Sequence, residues 1–270
     1  MGILQGKKGI IFGALDANSI AWKVALKARE EGAVFTLTNA PVALRMGTIQ
    51  ELATQCEAIV IPADATSVPD VEILFDQSME VLGGKIDFIL HSIGMSPNVR
   101  KGKAYTDLNY DFYLKTLDIS AGSLHKVLQT AYKKDAINDW GSVVALTYIA
   151  AQRAFPFYGD MADAKATLES IARSFGYHYG IRNKVRVNTV SQSPTVTTAG
   201  SGIKGFDDFF AYADMGSPLG NASAEDCANF CVALFSDLTK MVTMQNLFHD
   251  GGFSATGIST VLMDKLGKHE

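Results

Sequence analysis

The stretch KGIIFGALDANSIAWKVALKAREEG, residues 8–32, joins a short buried strand to a helix. Its first part, KGIIFG, is apolar nearly throughout, which is typical of a strand covered on both faces of a sheet. Its second part, SIAWKVALKAREEG at 19–32, repeats apolar residues at helical spacing and closes with Gly32, which suits a helix end. The stretch therefore predicts the first strand and the first helix of a parallel sheet.

The same alternation of strand and helix continues along the chain. Strands that are apolar throughout and alternate with helices indicate a parallel sheet between two helical layers. We therefore expect an α/β fold, a Rossmann-type doubly wound parallel sheet of about seven strands with helices on both faces. Six more strands are predicted at 33–39, 58–64, 85–94, 141–148, 184–191 and near 243–249, and five more helices at 43–55, 67–82, 108–133, 157–179 and 224–236.

Length and composition favour one domain. A chain of 270 residues with 47% hydrophobic residues is near the upper size for a single hydrophobic core. No linker rich in Pro, Gly or Ser divides it, so we predict a single dinucleotide-binding domain over residues 1–270. Its one long irregular connection, about 191–219, is a candidate substrate-covering segment, because long connections in compact domains are usually functional.

Charge and cysteine content exclude several classes of function. The net charge of −4 and the pI of about 5.7 offer no electrostatic footprint for nucleic acid. No apolar run approaches the roughly 20 residues that span a membrane, and the N-terminus lacks a secretory signal. The three cysteines, Cys56, Cys227 and Cys231, predict buried packing in a reducing compartment, the cytoplasm, with no disulfide framework and no metal site.

The loop after the first strand is a candidate dinucleotide site. In a Rossmann sheet this loop meets a pyrophosphate, because N–H groups at a helix N-terminus favour an anion. Here it is GALDANSIA, with Gly13 at the strand end and Ser19 where the helix begins, and it contains no G-x-G-x-x-G. An ordinary turn glycine and an ordinary helix cap would fit the same two residues.

Two further strand ends favour a nucleotide at this edge. The third strand ends in PADA, where the carboxylate of Asp64 and the N–H of Ala65 could recognise an adenine. A helix cap or turn residue is the alternative for Asp64. The fourth strand ends in HSIG, which places Ser92, Ile93 and Gly94 at the edge where ligands bind in open α/β sheets.

The end of the second strand bears on the choice of cofactor. A dinucleotide fold often carries an Asp or Glu there for the ribose 2′-OH, whereas this chain has Asn39 and Ala40. The nearest cation is Arg45, so no positive fork for a 2′-phosphate is present. NADH is therefore expected rather than NADPH.

A tyrosine and a lysine form the candidate catalytic pair. Tyr158 and Lys165 are seven residues apart in FYGDMADAKATLESIARSFGYHYG, so on the predicted helix they share one face about 10 Å apart. An ammonium near a phenol is expected to lower the pKa of the phenol and strengthen it as a donor. The same spacing occurs on ordinary amphipathic helices, but its place after the fifth strand makes the pair the leading site hypothesis.

Several motifs resemble one branch of a known superfamily. The Tyr-x6-Lys pair resembles the short-chain dehydrogenase/reductase superfamily. GALDANSIA, HSIG, TYIAAQRAFPFYGDMADAK and QSPTVTTAGSGIKGF look like its bacterial, NADH-dependent enoyl-acyl-carrier-protein reductase branch, and the similarity extends from GILQGKKGIIFG to HDGGFS. Thirteen residues before Tyr158, where carbonyl-reducing members keep a serine, stands Ala145. Tyr148 matches a second tyrosine of the branch, above the nicotinamide.

The resemblance implies reduction of trans-2-enoyl thioesters on acyl carrier protein, the last reductive step of fatty-acid elongation. Hydride delivered to the β-carbon puts negative charge on the thioester oxygen as an enolate, which needs a preorganised donor. Tyr158 is the expected donor, and Lys165 is expected to bind the nicotinamide ribose and support Tyr158. Tyr148 is expected to line the acyl pocket and donate toward the carbonyl, with plain aromatic packing as the alternative.

The remaining site residues follow from the resemblance position by position. Met161 and Phe206 would also suit an ordinary core, and GFDDFFAYADM at 205–215 would suit either a mobile lid or a packed helix. The implied residues are Gly13, Ser19, Ile20, Asp64, Ala65, Ser92, Ile93, Gly94, Lys165, Pro194, Thr195, Val196 and Thr197 for the cofactor, and Ser96, Tyr148, Tyr158, Met161 and Phe206 for the substrate.

The resemblance also implies partners. Carrier protein is acidic, so Arg100, Lys101 and Lys103 beside the Ser96 loop are a candidate docking patch, with a solvated loop as the alternative. A homotetramer is implied, with the last helix and strand at an interface. No nucleic acid, membrane or metal is expected as a partner.

Two other functions stay open at this point. A carbonyl-reducing dehydrogenase of the same superfamily is disfavoured by Ala145, because no serine is present to polarise a ketone. A non-catalytic dinucleotide-sensing module is disfavoured by the presence of both Tyr158 and Lys165.

Overall fold

Seven strands form one sheet in the part of the chain that the structure describes, residues 2–198 and 205–267 of a computed structural model. They are β1 (Lys8–Phe12), β2 (Val34–Thr38), β3 (Ile59–Val60), β4 (Ile86–His91), β5 (Ile137–Thr147), β6 (Arg186–Gln192) and β7 (Asn246–His249). Across the sheet they lie in the order β3-β2-β1-β4-β5-β6-β7, and each neighbouring pair is parallel. This is the order of a doubly wound Rossmann sheet, so the predicted fold class is confirmed.

Helices cover both faces of the sheet. They are α1 (Ile20–Glu30), α2 (Pro41–Leu44), α3 (Ile49–Cys56), α4 (Val68–Leu82), α5 (Pro97–Arg100), α6 (Tyr110–Leu117), α7 (Ser123–Lys133), α8 (Met161–Asn183), α9 (Phe206–Gly216), α10 (Ala224–Phe235) and α11 (Thr260–Leu266). One buried cluster joins the sheet to α1, α3 and α10, and another joins it to α4, α7 and α8. Cys56, Cys227 and Cys231 are buried free thiols in the first cluster, which confirms their predicted packing. Over the described ranges no helix is long and apolar enough to cross a membrane.

Local sequence signals set several helix starts. α4 begins where the Ser67 hydroxyl accepts a hydrogen bond from the N–H of Asp70. α10 begins with a capping box, in which the side chains of Ser223 and Asp226 each accept a hydrogen bond from the other's backbone N–H. Such caps satisfy backbone groups that a helix end leaves unpaired.

The single helix predicted over 43–55 is two helices, α2 and α3. Between them the chain packs against the loop after β1, where the N–H of Thr48 donates to the carbonyl oxygen of Leu15 at 2.9 Å. That N–H is thereby unavailable to a continuous helix. The break comes from a tertiary contact that helical spacing does not encode.

The helix predicted over 108–133 contains a wide turn. α6 and α7 are joined by a π-helical turn, Asp118–Gly122. The Ser120 hydroxyl of this turn accepts from the N–H of Met95 at 3.0 Å and donates to the Met95 carbonyl at 3.2 Å. The turn therefore ties this helix to the loop after β4, and π turns are frequent at functional sites.

Strand boundaries differ from the predictions at several places, and β4 ends at His91 rather than at 94. β3 has two residues rather than seven, although Ile61 and Ala63 still donate to carbonyl oxygens of the β2 segment. β5 begins four residues before the predicted start at 141, and β7 begins three residues after the predicted start at 243. Edge strands pair on one side only, which explains the short ladders of β3 and β7.

The connection predicted over 191–219 is only partly irregular. Its second half is α9, so GFDDFFAYADM at 205–215 folds as a helix. Residues 199–204, which belong to the motif QSPTVTTAGSGIKGF, lie outside the described residues.

Candidate active site

The carboxyl ends of the parallel strands border a cavity of about 780 Å³, which we call the main cavity. Ligands bind at this edge in open α/β sheets. Among the predicted site residues, Val196 does not reach the cavity and is 64% exposed. The others all line the cavity: Gly13, Ser19, Ile20, Asp64, Ala65, Ser92, Ile93, Gly94, Ser96, Tyr148, Tyr158, Met161, Lys165, Pro194, Thr195, Thr197 and Phe206.

Gly13 lets the end of β1 approach the end of β4. Its φ is +93°, and a Cβ at this position would lie 2.0 Å from the carbonyl oxygen of Ser92. Ser19 shapes the following loop rather than capping α1 with its side chain: its hydroxyl accepts from Leu15 N at 3.2 Å and donates to Asp16 O at 2.6 Å. This backbone cradle at the N-terminus of α1 fits a pyrophosphate.

The end of β2 and the segment after β3 form a second part of the wall. Asp64 Oδ1 accepts hydrogen bonds from the backbone N–H and the hydroxyl of Thr66, at 2.9 and 2.7 Å, which fixes the carboxylate. Its Oδ2 has no hydrogen bond to the described residues and can accept one from an adenine amine. The Asn39 amide donates to Ala14 O at 3.0 Å and accepts from Ala40 N at 2.9 Å, so it holds the two loops together.

Tyr158 precedes α8 and is not on it. The helix predicted over 157–179 begins at Met161, and Tyr158 lies in the preceding turn, where the N–H of Met161 donates to the Tyr158 carbonyl at 3.2 Å. Gly159, with a φ of +52°, makes this turn. The predicted placement of Tyr158 and Lys165 on one helical face is therefore wrong, although both line the main cavity.

Lys165 is a buried cation in the second turn of α8. Its side chain is 7% exposed, and Nζ donates to the carbonyl oxygen of Leu146 at 2.8 Å. Burial lowers the pKa of Lys165 to about 8, and the nearby Glu169 carboxylate opposes this shift. An ammonium has three donors, so two remain for a ligand such as a ribose diol.

The pKa of Tyr158 is raised, not lowered as expected. Burial is the cause, because the wall of the main cavity removes the water that would solvate a phenolate. The expectation that Lys165 would lower this pKa is therefore wrong. The hydroxyl of Tyr158 stays protonated at neutral pH and can donate a hydrogen bond.

Tyr148 follows β5 directly and carries a buried hydroxyl. That hydroxyl has no hydrogen-bond partner among the described residues. The ring packs against Tyr158 and Phe155, with centroids 5.1 and 5.2 Å apart, so the aromatic packing is present. Burial raises the pKa of Tyr148 as well. An unpaired buried hydroxyl costs about 1–3 kcal/mol, a cost that a bound acceptor would remove.

Ala145 is a methyl group inside the core. It lies on β5 between His91 of β4 and Thr189 of β6 and is 0% exposed. Its neighbours belong to the cluster under α7 and α8. No second hydroxyl can therefore supplement Tyr158 from this position.

Ser96 lines the main cavity, but its hydroxyl is engaged elsewhere. It donates to Asp160 Oδ1 at 2.5 Å and accepts from Val99 N at 3.0 Å. The Ser96 hydroxyl proton is therefore already engaged within the protein and is not free for a ligand in the main cavity.

Several residues of the wall carry no sequence signal of their own. α6 and the π turn bring side chains to the main cavity from a distant part of the chain, and α9 brings a further ring. Thr66 and Leu146 flank strand ends, so extending the strand-end argument by one or two positions would have found them. The residues in question are Thr66, Lys115, Asp118, Ile119, Leu146 and Phe209.

A neighbouring cavity of about 640 Å³, which we call the side cavity, adjoins the main cavity. Tyr158 and Phe209 belong to both walls. The Phe209 ring of α9 also packs edge-on against Tyr148, with centroids 5.9 Å apart. α9 therefore packs against Tyr148 and shares both cavity walls with Tyr158.

The candidate docking patch lies at the rim of the main cavity. Arg100, Lys101 and Lys103 are exposed, and Arg100 lines the cavity. Lys101 Nζ lies 4.3 Å from the ring centroid of Phe112, and Lys103 pairs with Asp107 at 3.0 Å.

The fold and the cavity together define a class of protein. A Rossmann sheet that presents a pyrophosphate cradle beside a protonated tyrosine and a buried lysine is a dinucleotide-dependent reductase of the short-chain dehydrogenase/reductase class. Across residues 2–198 and 205–267, no group of three His, Cys, Asp or Glu side chains could hold a metal ion. The chain belongs to the enoyl-(acyl carrier protein) reductase family, whose model matches residues 13–254.

Individual relatives agree with this family. The chain is 34% identical over 262 residues to enoyl-[acyl-carrier-protein] reductase [NADH] 1 of Rhizobium meliloti (strain 1021), covering 96% of this chain and 94% of the relative. It is 30% identical over 257 residues to FabI of Bacillus subtilis (strain 168), covering 94% and 98%. The crystal structure of the FabI–NADH complex from Alistipes finegoldii is 66% identical with a TM-score of 0.95, covering 96% of this chain and 92% of that chain. The resemblance seen in the sequence is confirmed.

Proposed function

We propose that this protein reduces trans-2-enoyl thioesters on acyl carrier protein to saturated acyl thioesters with NADH, the final reductive step of fatty-acid elongation. One observation carries the proposal most directly. Two protonated phenols, Tyr148 and Tyr158, share a cavity with Lys165, while Ala145 leaves no hydroxyl at the position of the carbonyl-reducing serine.

The strand ends would hold the cofactor, which supplies a hydride when bound. The cradle formed by Gly13 and α1 fits the pyrophosphate, and the free oxygen of Asp64 fits the adenine amine. Lys165 is positioned to donate to the nicotinamide ribose from its two remaining N–H groups. The residues present therefore fit a dinucleotide.

Tyr158 would stabilise the substrate as it accepts the hydride. When the β-carbon of the enoyl group accepts hydride, the thioester oxygen gains negative charge as an enolate. The raised pKa of Tyr158 keeps its proton in place, so the hydroxyl donates to that oxygen without prior reorganisation. Tyr148 offers a second, unpaired donor beside it.

The assay that tests this function follows NADH oxidation with crotonyl and with β-ketoacyl thioesters in parallel. We expect turnover of the crotonyl thioester only. Turnover of the β-ketoacyl thioester alone would establish a carbonyl reductase instead, and NADH binding without either turnover would establish a sensing module.

The docking patch should govern the use of carrier-bound substrate. Reversing charge in a Lys101→Glu, Lys103→Glu double variant, at two patch residues that do not line the main cavity, is expected to raise KM for crotonyl carrier protein by roughly tenfold or more at low salt, because charge complementarity raises association rates by about 10 to 10³. The effect should shrink as salt is added, because salt screens exposed charges. Steady-state kinetics across an ionic-strength series measures it.

Two controls isolate docking from catalysis. Crotonyl N-acetylcysteamine is neutral and short, so its kcat/KM should not change in the double variant. Lys133→Glu reverses an exposed charge at the end of α7, away from the main cavity, and should leave both substrates unaffected. Equal losses with both substrates would remove the patch from carrier binding.

The proposal also covers the domain, the substrate-covering segment and the oligomeric state. The chain acts as one domain over residues 1–270, and the segment at about 191–219 covers the substrate, as Phe206 and Phe209 in the main cavity wall support. The protein is a cytoplasmic homotetramer. Exposed apolar side chains around β7, such as Met241 and Phe248, support an interface there.

A further inference from the structure

A fully buried carboxylate, that of Asp160, lies between the Tyr158 turn and the first residue of α8. It lies within hydrogen-bond distance of three donor side chains: Ser96 Oγ at 2.5 Å, Asn98 Nδ2 at 2.8 Å and Thr116 Oγ1 at 2.9 Å, whose one proton is shared with the carbonyl oxygen of Phe112. All of these partners are neutral. Burying a carboxylate without a cation is costly unless hydrogen bonds replace water, so its presence calls for a role that a smaller side chain could not fill.

The three donors come from two other parts of the fold. Ser96 ends the loop after β4 and Asn98 belongs to α5, which continues that loop, whereas Thr116 belongs to α6. Asn98 also exchanges hydrogen bonds with the backbone of Asn109 just before α6, at 3.0 and 3.1 Å. The carboxylate is therefore a junction of the loop after β4, α6 and the start of α8.

This junction sets two walls of the main cavity relative to each other. The backbone of Tyr158 lies in a turn, two residues before Asp160, and Gly159 within that turn lies against α5, where a Cβ would be 3.1 Å from Val99. On the other side of the carboxylate, Ser96 lies two residues after Gly94, and both line the main cavity. Asp160 itself does not line the cavity, so any effect on catalysis must act through its neighbours.

We propose that Asp160 is a positioning residue, which locks the catalytic turn of Tyr158 to the loop after β4 and so fixes the phenol against the bound substrate. The proposal rests on the proposed reductase function, and turnover by the unmodified protein tests that function separately. Asp160→Asn keeps the size but turns an N–H₂ group toward the donors, so at least one of the three hydrogen bonds is lost.

Asp160→Asn is expected to change kcat much more than the affinity for NADH. Asp160→Asn should lower kcat for crotonyl thioester roughly tenfold or more, because a misplacement of about 1 Å can cost on the order of 10²-fold. The Kd for NADH should change much less than kcat, because Asp160 itself does not line the main cavity. Ser96→Ala should lower kcat in the same way, and the double variant should be no slower than Asp160→Asn alone, because both remove one connection.

A matched control separates positioning from general stability. Thr36→Val removes a buried hydrogen bond between Thr36 and Ser78, 2.8 Å long, in the β2 and α4 part of the core. It should lower the melting temperature and leave kcat unchanged. If Asp160→Asn lowers the melting temperature but keeps full kcat, or if Thr36→Val lowers kcat equally, the proposal is overturned.

A variant with a milder change covers the case in which Asp160→Asn does not fold. Ser96→Ala removes a single donor and keeps the carboxylate with two. A folded Ser96→Ala protein with the kcat of the unmodified protein would overturn the proposal, and a lowered kcat with unchanged NADH affinity would support it.

Discussion

Tyr158→Phe is expected to lower kcat for an enoyl thioester by roughly 10²–10³-fold, the usual effect of removing one donor to a developing oxyanion. The substitution removes only the hydroxyl and keeps the ring that packs against Tyr148. NADH affinity should stay the same, because the cofactor contacts that we propose come from the strand ends and Lys165 and not from Tyr158. Stopped-flow turnover and a fluorescence titration with NADH measure the two quantities.

Tyr148→Phe is the matched control for this prediction. Its hydroxyl has no partner in the described part of the chain, so its removal should raise the melting temperature by relieving a buried unpaired group. The loss in kcat should be smaller than for Tyr158→Phe. A larger loss from Tyr148→Phe would exchange the roles that we assign to the two tyrosines.

Replacing Lys165 with methionine is expected to weaken NADH binding by roughly 10- to 100-fold, because a hydrogen bond to a charged group contributes about 1.5–3 kcal/mol. The variant keeps the length of the side chain but leaves the Leu146 carbonyl without its donor and Glu169 without its counter-charge. NADH titration and kcat/KM measure the effect. Lys8→Met, which removes an ammonium that donates to Gly83 O at 2.8 Å outside the main cavity, should have no effect on either.

The pH dependence of kcat/KM should identify the ammonium of Lys165. Its pKa of about 8 means that the free protein loses this positive charge as pH rises through 8, so kcat/KM should fall on the alkaline side. Lys165→Arg, which stays charged, should lose that alkaline limb whatever its absolute rate. An unchanged limb in Lys165→Arg would assign the titration to another group.

The lowered pKa of Lys165 also makes the free energy of unfolding depend on pH. The unfolded chain keeps the lysine pKa near 10.5, while the folded chain has it near 8, so between these values the unfolded state binds more protons. Through this group the free energy of unfolding therefore rises with pH between about 8 and 10.5. Below about pH 8 Lys165 is charged in both the folded and the unfolded state, so its buried charge lowers the free energy of unfolding by the full amount.

Much of the cofactor side of the site could be predicted from the sequence. Parallel strands end at the same edge of a sheet, so residues just after each apolar run, such as Gly13, Asp64 and Ser92, had to meet. The prediction needed only the strand positions and not their exact lengths. For that reason the predicted meeting of these residues holds although β3 is shorter than predicted.

The catalytic side was less predictable. The spacing of Tyr158 and Lys165 indicated a shared site but assigned the wrong local structure, because Gly159 ends the turn before α8 begins. The direction of the Tyr158 pKa was also wrong, since a sequence shows a neighbouring lysine but not the loss of solvent that outweighs it.

The sequence by itself determined the order of strands and helices, the edge where the cofactor would bind and the absence of the serine at Ala145, because each depends on periodicity or on a single residue type. Only the tertiary structure decided how Asp160 meets Ser96, Asn98 and Thr116, and how deeply Lys165 is buried. The physical reason is that contacts between residues far apart in the chain, and the desolvation that accompanies them, follow from packing and have no period along the sequence.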